Sequence, residues 1–410
     1  MIKASIIAVG DEILKGQIYE RNSSYIANQL FNLGIVPLRI SAVGDNREVI
    51  REEIAYHLKF SDVIFITGGL GPTPDDLTKE VVSEIFKKNL LLDETTLKKI
   101  EEWYKRMNTP VPDEATKQAL YPRGSLLLEN PVGICPGLIL KEKDKYLILL
   151  PGIPTELQKV FETGVLPFLE TQFPLKPLFH SLIRTTGITE SEIMEKISRI
   201  ASKKFRDCLI KYQPSHLGVD ISVITEKDKN RLLECAAEIK SRLTPFVYAV
   251  GNKTLEERIG EILRQRKWTI ATAESCTGGL VGDRITNAIG SSDYFVGGVV
   301  AYSDEIKKLI LGVREETLKK YGAVSKETVS EMAIGVREHF KANIGLALSG
   351  IAGPTGGTPI KPVGLVYIGL STIKKNTYKE CHFSGNRWLI KEIAAQTALD
   401  LLRRYLEGYD

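Results

Sequence analysis

Glu274-Ser275-Cys276-Thr277-Gly278-Gly279 closes an apolar run at 268–273 and leads directly into a helix-compatible segment at 280–288. A strand running into such a turn gathers two hydroxyls, a thiol and two glycines at a helix N-terminus. Backbone N–H groups converge there. Such a spot can hold a phosphate, or stabilise an oxyanion while a serine attacks. Gly290-Ser291-Ser292, Tyr302 and Lys307 follow closely, and Ser349-Gly350-Ile351-Ala352-Gly353-Pro354 comes later. The chemistry on offer is nucleophilic attack beside an anion site.

A second concentration lies near the N-terminus. Gly10-Asp11-Glu12 follows an apolar segment, as does Thr67-Gly68-Gly69-Leu70-Gly71-Pro72-Thr73-Pro74-Asp75-Asp76-Leu77-Thr78. The stretch 130–137, beginning with Asn130, and Pro151-Gly152 complete the set. Glycines let a backbone approach a phosphate, and the hydroxyls of Thr67, Thr73 and Thr78 add donors. Asp11, Glu12, Asp75 and Asp76 would repel a bare phosphate. With a hard cation between them they fit metal-assisted handling of a phosphorylated ligand. The same acids would also serve as helix caps, Asp75 and Asp76 for a helix starting near Leu77.

These groups must be held by strands and helices. Strands are expected at 5–9, 36–43, 62–67 and 145–150, and helices at 22–33, 48–58, 95–117 and 152–164. Strand–helix alternation implies a mostly parallel sheet covered on both faces, with ligands beyond the strand carboxyl ends. After 174–177 the pattern becomes β-α-β-α-β: 180–186, 190–201, 217–225, 228–241 and 246–250. That region carries few reactive groups. A linker at 251–253 precedes a third βα unit, which opens with an amphipathic helix at 255–265. The expected organisation is an α/β domain at 1–172, a small α+β domain at 173–252 and an α/β domain at 253–410.

The 410 residues suffice for several domains. A net charge of +4, dispersed over that length, argues against direct nucleic-acid or membrane contact. The five cysteines, Cys135, Cys208, Cys235, Cys276 and Cys381, form no CxxC pair. Neither a disulfide framework nor a structural zinc site is expected, and a reducing, cytoplasmic setting is. The first residues enter an apolar strand without a signal-peptide pattern, and no apolar run reaches a membrane span.

Gly10-Asp11-Glu12-Ile13-Leu14, the Gly68–Asp76 motif and Leu150-Pro151-Gly152-Ile153-Pro154 resemble the molybdopterin-binding-like domain of the CinA family of competence/damage-inducible proteins. The resemblance covers about residues 1–170. It implies a three-layer, MoaB/MogA-like fold, homodimer formation, and metal-dependent hydrolysis of ADP-ribose to AMP and ribose 5-phosphate. The metal would be Mg, Mn or Co, with K+ as a further candidate. Asp11, Glu12, Asp75 and Asp76 would hold it, and Gly68, Gly69, Gly71, Thr73, Asn22 and Asn130 would bind substrate. Where the family often has Asp-Thr-Asn, this chain has Glu20-Arg21-Asn22, so the acid is longer while Asn22 is kept.

The C-terminal region resembles the nicotinamide mononucleotide deamidase domain of the same family. The matching segments are 273–279, 290–292, 300–303, Lys307, 321–325, 349–354 and 361–364, in the expected order. Deamidation replaces the amide nitrogen by oxygen and releases ammonia, so it needs a nucleophile, a base, an oxyanion site and an acid. His339 and His382 are the histidines of this region and neither sits in a motif. Lys307 with a lowered pKa is the expected base, acting on Ser292, the favoured nucleophile, or on Ser275. Tyr302 would relay a proton or orient the ring. Thr277, Gly278 and Gly279, or Ser349, Gly350 and Gly353, would bind the oxyanion or the 5′-phosphate, and Arg387 would neutralise an anion. Cys276 ranks below the serines because the family implies serine chemistry. No cofactor is expected for this domain. Alternatives are a non-catalytic pterin- or nucleotide-binding N-terminal domain, or an interaction protein in competence or DNA repair.

Overall fold

The computed structural model describes residues 2–176 and 178–409. Pro177, within the expected boundary 174–177, lies outside them. Two compact units divide the chain, Met1–Leu178 and Phe179–Asp410.

The first unit is a three-layer α/β domain. Its strands are β1 (Ala4–Val9), β2 (Pro37–Val43), β3 (Val63–Thr67), β4 (Ser125–Leu128), β5 (Gly137–Glu142) and β6 (Lys145–Leu150), in the order β2-β1-β3-β6-β5-β4. The first four positions are parallel, and β5 is antiparallel to both neighbours. Both faces of β1 are buried, which is why its sequence is continuously apolar rather than alternating. Ile6 enters a core with Ile26 and Leu30 of α1 (Asn22–Asn32). Ile7 enters the opposite core with Ile50 and Ile54 of α2 (Arg47–His57) and Val81 and Val82 of α3 (Thr78–Ile85).

The expected helix 95–117 is shorter. It spans Glu94–Arg106, and a separate 3₁₀ segment covers Asp113–Ala119. Asn108 at φ 56° turns the chain, and Pro110 and Pro112 cannot donate helical hydrogen bonds.

The second unit contains two sheets. The strands β7 (Phe179–Thr185), β8 (Leu209–Ser215), β9 (Gly218–Thr225) and β10 (Val247–Val250) run in the order β8-β9-β7-β10. The helices α4 (Glu190–Lys203) and α5 (Lys229–Leu243) supply Ile193, Ile197, Cys235 and Ile239 to a shared core. The expected boundary at 252/253 falls inside this unit, after the last strand of this sheet and before the first of the next. The other sheet comprises β11 (Ile270–Glu274), β12 (Phe295–Val300), β13 (Ile344–Gly350), β14 (Leu365–Thr372) and β15 (Asn376–His382). Its order is β12-β11-β13-β14-β15, with β12, β11 and β13 parallel and the rest antiparallel. The helices α6 (Leu255–Arg266), α7 (Leu280–Asn287), α8 (Asp304–Leu309), α9 (Lys326–His339) and α10 (Arg387–Glu407), with a two-turn helix at Glu315–Tyr321, complete this part. Here too adjacent residues part company: Ile270 faces the core with Ile259 and Ala398, and Ala271 faces that of Val329 and Met332. No helix among the described residues is long and apolar enough to cross a membrane.

Candidate functional site

In the second unit the reactive groups gather at the carboxyl ends of β11 and β12. Glu274 lies opposite Val300, and the Ala301 N–H donates to the Glu274 carbonyl at 2.8 Å. Ser275 and Tyr302 therefore leave adjacent strands side by side. Lys307 lies one turn into α8, whose N-cap Ser303 accepts from the Ile306 N–H. The Lys307 side chain is 1% exposed, and its Nζ donates to the Tyr302 carbonyl at 3.3 Å. Burial lowers the Lys307 pKa, against an opposing pull from Asp304 at 3.7 Å and from Cys276. The amine also lies within electrostatic range of the Cys276 sulfur, in the 274–279 turn. Burial pushes the Cys276 thiol up to about 12, which keeps it protonated at neutral pH.

Glu274 organises the turn. Its buried carboxylate accepts from the N–H groups of Gly279 at 3.0 Å, Val281 at 3.0 Å and Gly282 at 2.8 Å. This acid caps α7 and complements the positive end of that helix. Gly278 and Gly279, at φ +66° and +100°, let the chain reverse into the helix. Arg387 opens α10; its guanidinium donates to the Gly353 carbonyl at 2.8 Å and to the Tyr302 hydroxyl oxygen at 3.1 Å. One turn along the same helix, Lys391 Nζ lies 3.8 Å from where a Cβ on Gly278 would stand. Two cations thus flank the serine turn at a helix N-terminus.

In the first unit a cleft of about 780 Å³ opens at the carboxyl ends of β1, β3 and β6, between the turns at Gly10, Gly68–Pro72 and Pro151–Pro154. A Cβ on Gly68 would meet the Val9 carbonyl oxygen at 2.1 Å, so only glycine lets those two turns touch. Asn22 ties them to α1, donating to Thr67 Oγ1 at 3.0 Å and to the Gly152 carbonyl at 2.7 Å. Lys117 straps the next loop by donating to the Thr73 and Asp76 carbonyls at 3.0 and 2.6 Å. Glu12, Asp45, Asp75 and Asp76 line the cleft. Partial burial raises the Asp45 pKa, and the charges of Glu12, Asp11 and Asp75 add to it.

Residues 252–406 match the model of the CinA C-terminal domain, and residues 5–171 match that of the probable molybdopterin binding domain. A competence-damage inducible protein from Caldicellulosiruptor saccharolyticus is 42% identical over 411 residues, covering 99% of this chain and 100% of its own length. The chain belongs to the CinA family. A CinA-like protein from Kosmotoga olearia is 41% identical over 410 residues, covering 99% of each chain. Among solved structures, a CinA superfamily protein from Klebsiella pneumoniae is 34% identical, covers 38% of this chain and 96% of its own, and has a TM-score of 0.37.

In this CinA chain several expected site residues are placed differently. Ser292 sits in the 3₁₀ turn Ser291–Asp293 before β12, at the amino end of the sheet. Lys307 and Tyr302 lie beyond the other end of β12. The strand between them rises roughly 17 Å at 3.3 Å per residue, so Ser292 is not the serine beside Lys307. Ser275 is. The N–H groups of Gly278 and Gly279 are already used, by the Ser275 carbonyl and by Glu274, and are not free for a ligand. The Thr277 hydroxyl is fully buried and finds no hydrogen-bond partner among the described residues. Ser349 donates its buried hydroxyl to the Ala323 carbonyl at 2.6 Å, which straps the strand end rather than offering a ligand group. Gly350 is small because a Cβ there would meet the Leu365 carbonyl at 2.8 Å.

The first unit brings similar corrections. Asp11 is not among the cleft-lining residues and pairs with Lys15 at 2.8 Å. Asp76 accepts from the N–H and hydroxyl of Thr73 at 2.8 and 2.5 Å, which makes both local loop-formers. Asn130 is buried; it donates to the Cys135 carbonyl and to Glu156 and shapes the 130–137 turn. Among the described residues no group of three or more His, Cys, Asp or Glu is gathered closely enough to hold a metal ion. The expected four-acid cluster is therefore not assembled. Asp45, absent from the sequence reading, faces the cleft in its place; its one signal was the helix-capping Asn46 beside it, which marks a strand-to-helix turn.

Proposed function

We propose that the second unit deamidates nicotinamide mononucleotide, with Ser275 as nucleophile and Lys307 as general base. The observation that carries this reading is the buried amine of Lys307 at the strand end that bears Ser275. Neutral Lys307 takes the Ser275 proton as Oγ attacks the amide carbon. The protonated amine then gives that proton to the departing nitrogen, and ammonia leaves. Water attacks the resulting ester with Lys307 again as base, giving nicotinic acid mononucleotide and free Ser275. Tyr302, held by Arg387, orients the ring, and Arg387 with Lys391 at the α10 N-terminus suits the 5′-phosphate.

Such a base must lose its proton first, so kcat/KM rises as pH increases through the folded pKa of Lys307. Burial lowers that pKa from its ordinary value, so the rising limb falls below an ordinary lysine's. A pH–rate profile checks this: kcat/KM that rises only through the ordinary lysine range, or that falls with increasing pH and shows no rising limb, is incompatible with Lys307 as base.

For the first unit the reading is metal-dependent hydrolysis of ADP-ribose in the β1/β3/β6 cleft. Mg²⁺ needs only one or two carboxylates when phosphates complete its shell, and the carboxylates of Glu12, Asp45 and Asp75 fit that role without a closed protein cage. The mutual repulsion at Asp45 is what a divalent cation would relieve. When bound, the metal supplies charge neutralisation on the diphosphate. The glycine turns admit the phosphates, and Lys117 fixes the Thr73–Asp76 loop. Chelation with EDTA is expected to stop AMP release from ADP-ribose and leave ammonia release from nicotinamide mononucleotide unchanged. Added Mg²⁺, Mn²⁺ or Co²⁺ should restore the first activity, poorly in Asp45→Asn. Loss of both activities, or of neither, would count against the assignment. The first unit could instead bind a nucleotide or pterin without turnover, and wild type that releases no AMP with metal present would favour that.

A further inference from the structure

The lining of the first unit's cleft is of two unlike kinds. One is glycine and carboxylate. The other comprises large apolar side chains left open to solvent: Ile18, Tyr19, Trp103, Val132 and Ile153 all line the cleft and are all exposed. Tyr19 is 88% exposed and Trp103 42%. A phosphate or metal site has no use for such a rim, and exposed apolar groups concentrated at one pocket mark a binding surface.

Trp103 is braced from one side. Trp103 lies on the helix Glu94–Arg106, edge-on to Tyr104 with ring centroids 5.0 Å apart at 79°. Tyr104 in turn packs into a small core of Ile100, Ala115 and Ala119. An indole fixed in this way presents a flat apolar face at low entropic cost, which suits stacking by an aromatic heterocycle. Tyr19, on the loop before α1, is the second ring. The apolar side chains and the glycine turns line one cleft, so the occupant should carry both chemistries in one molecule.

We propose that Trp103 and Tyr19 form a base-binding wall that selects diphosphates carrying an aromatic heterocycle, a purine nucleoside above all. This rests on the cleft's taking a nucleotide, and adds which residues read the base. Trp103 becomes the sole tryptophan in full-length Trp268→Phe/Trp388→Phe, since the chain has three. AMP is expected to quench its fluorescence. In Trp103→Ala, calorimetry should show the Kd for AMP rising about tenfold or more, with that for ribose 5-phosphate unchanged. Tyr19→Ala should follow the same pattern, and Trp103→Phe should recover most of the affinity. Failure of the wild type to bind AMP, or equal weakening of both ligands in Trp103→Ala, would overturn the wall. If the AMP effects hold but ADP-ribose is not cleaved with metal present, the wall stands and the diphosphatase reading falls. If ADP-ribose is cleaved with unaltered KM in Trp103→Ala, the diphosphatase stands and the wall falls.

Discussion

Ser275→Ala is expected to lower kcat for nicotinamide mononucleotide deamidation by about four orders of magnitude or more, the scale seen when a nucleophile is removed from a serine hydrolase. Ser292→Ala should leave the rate within about twofold, because surface changes away from a site are usually small. The contrast follows from sheet register. β11 and β12 are parallel, so residues after both share one end of the sheet and residues before β12 share the other. Lys307→Met should cost about two to four orders, the range of a positioned general base. Because the two groups act on one proton, the double variant should be no slower than Ser275→Ala alone. Ammonia release and the mass of a trapped acyl-enzyme are the measurements. A fully active Ser275→Ala, or an acyl group found on Ser292, would sink the dyad.

Much of this arrangement was legible before the fold. The apolar runs ending in Gly10, Gly68 and Pro151 placed the cleft at strand carboxyl ends, because parallel strands buried on both faces read as unbroken apolar segments. Tyr302 and Lys307 stood out through the resemblance of 300–303 and Lys307 to the family's deamidase domain, and because no histidine of that region sits in a motif. Ser292 was misassigned for a reason composition does not reveal. Gly290-Ser291-Ser292 carries the same residue types as a reactive turn, and only the direction of β12 determines which end of the sheet it occupies. Local sequence was equally silent on Lys307's burial: beside Lys308 it reads as solvated, yet α8 turns it inward. The strand β8 escaped notice because Lys211, Gln213 and Pro214 interrupt its apolar pattern; it is an edge strand, where polar residues and proline are tolerated. Trp103 lay within a segment read only as charged helix.

Glu274→Ala is expected to cost about 3–5 kcal/mol of stability, since three N–H groups would lose their acceptor and each orphaned buried donor costs about 1–3 kcal/mol. Part of that loss is offset by water entering the space left behind. Glu274→Gln should fall between: the amide oxygen can still accept, but its NH₂ group faces N–H donors where the carboxylate had a second acceptor. Urea unfolding of the full chain, followed by hydrogen exchange at Gly279, Val281 and Gly282, reads the effect directly. The comparison with Ser275→Ala separates scaffold from chemistry. Ser275→Ala should lose activity at an unchanged urea midpoint, whereas Glu274→Ala should lose both, because the residue holding the α7 N-terminus also fixes the backbone on which the nucleophile sits. An unchanged midpoint in Glu274→Ala, with normal protection of those three amides, would show that the cap does not hold the turn.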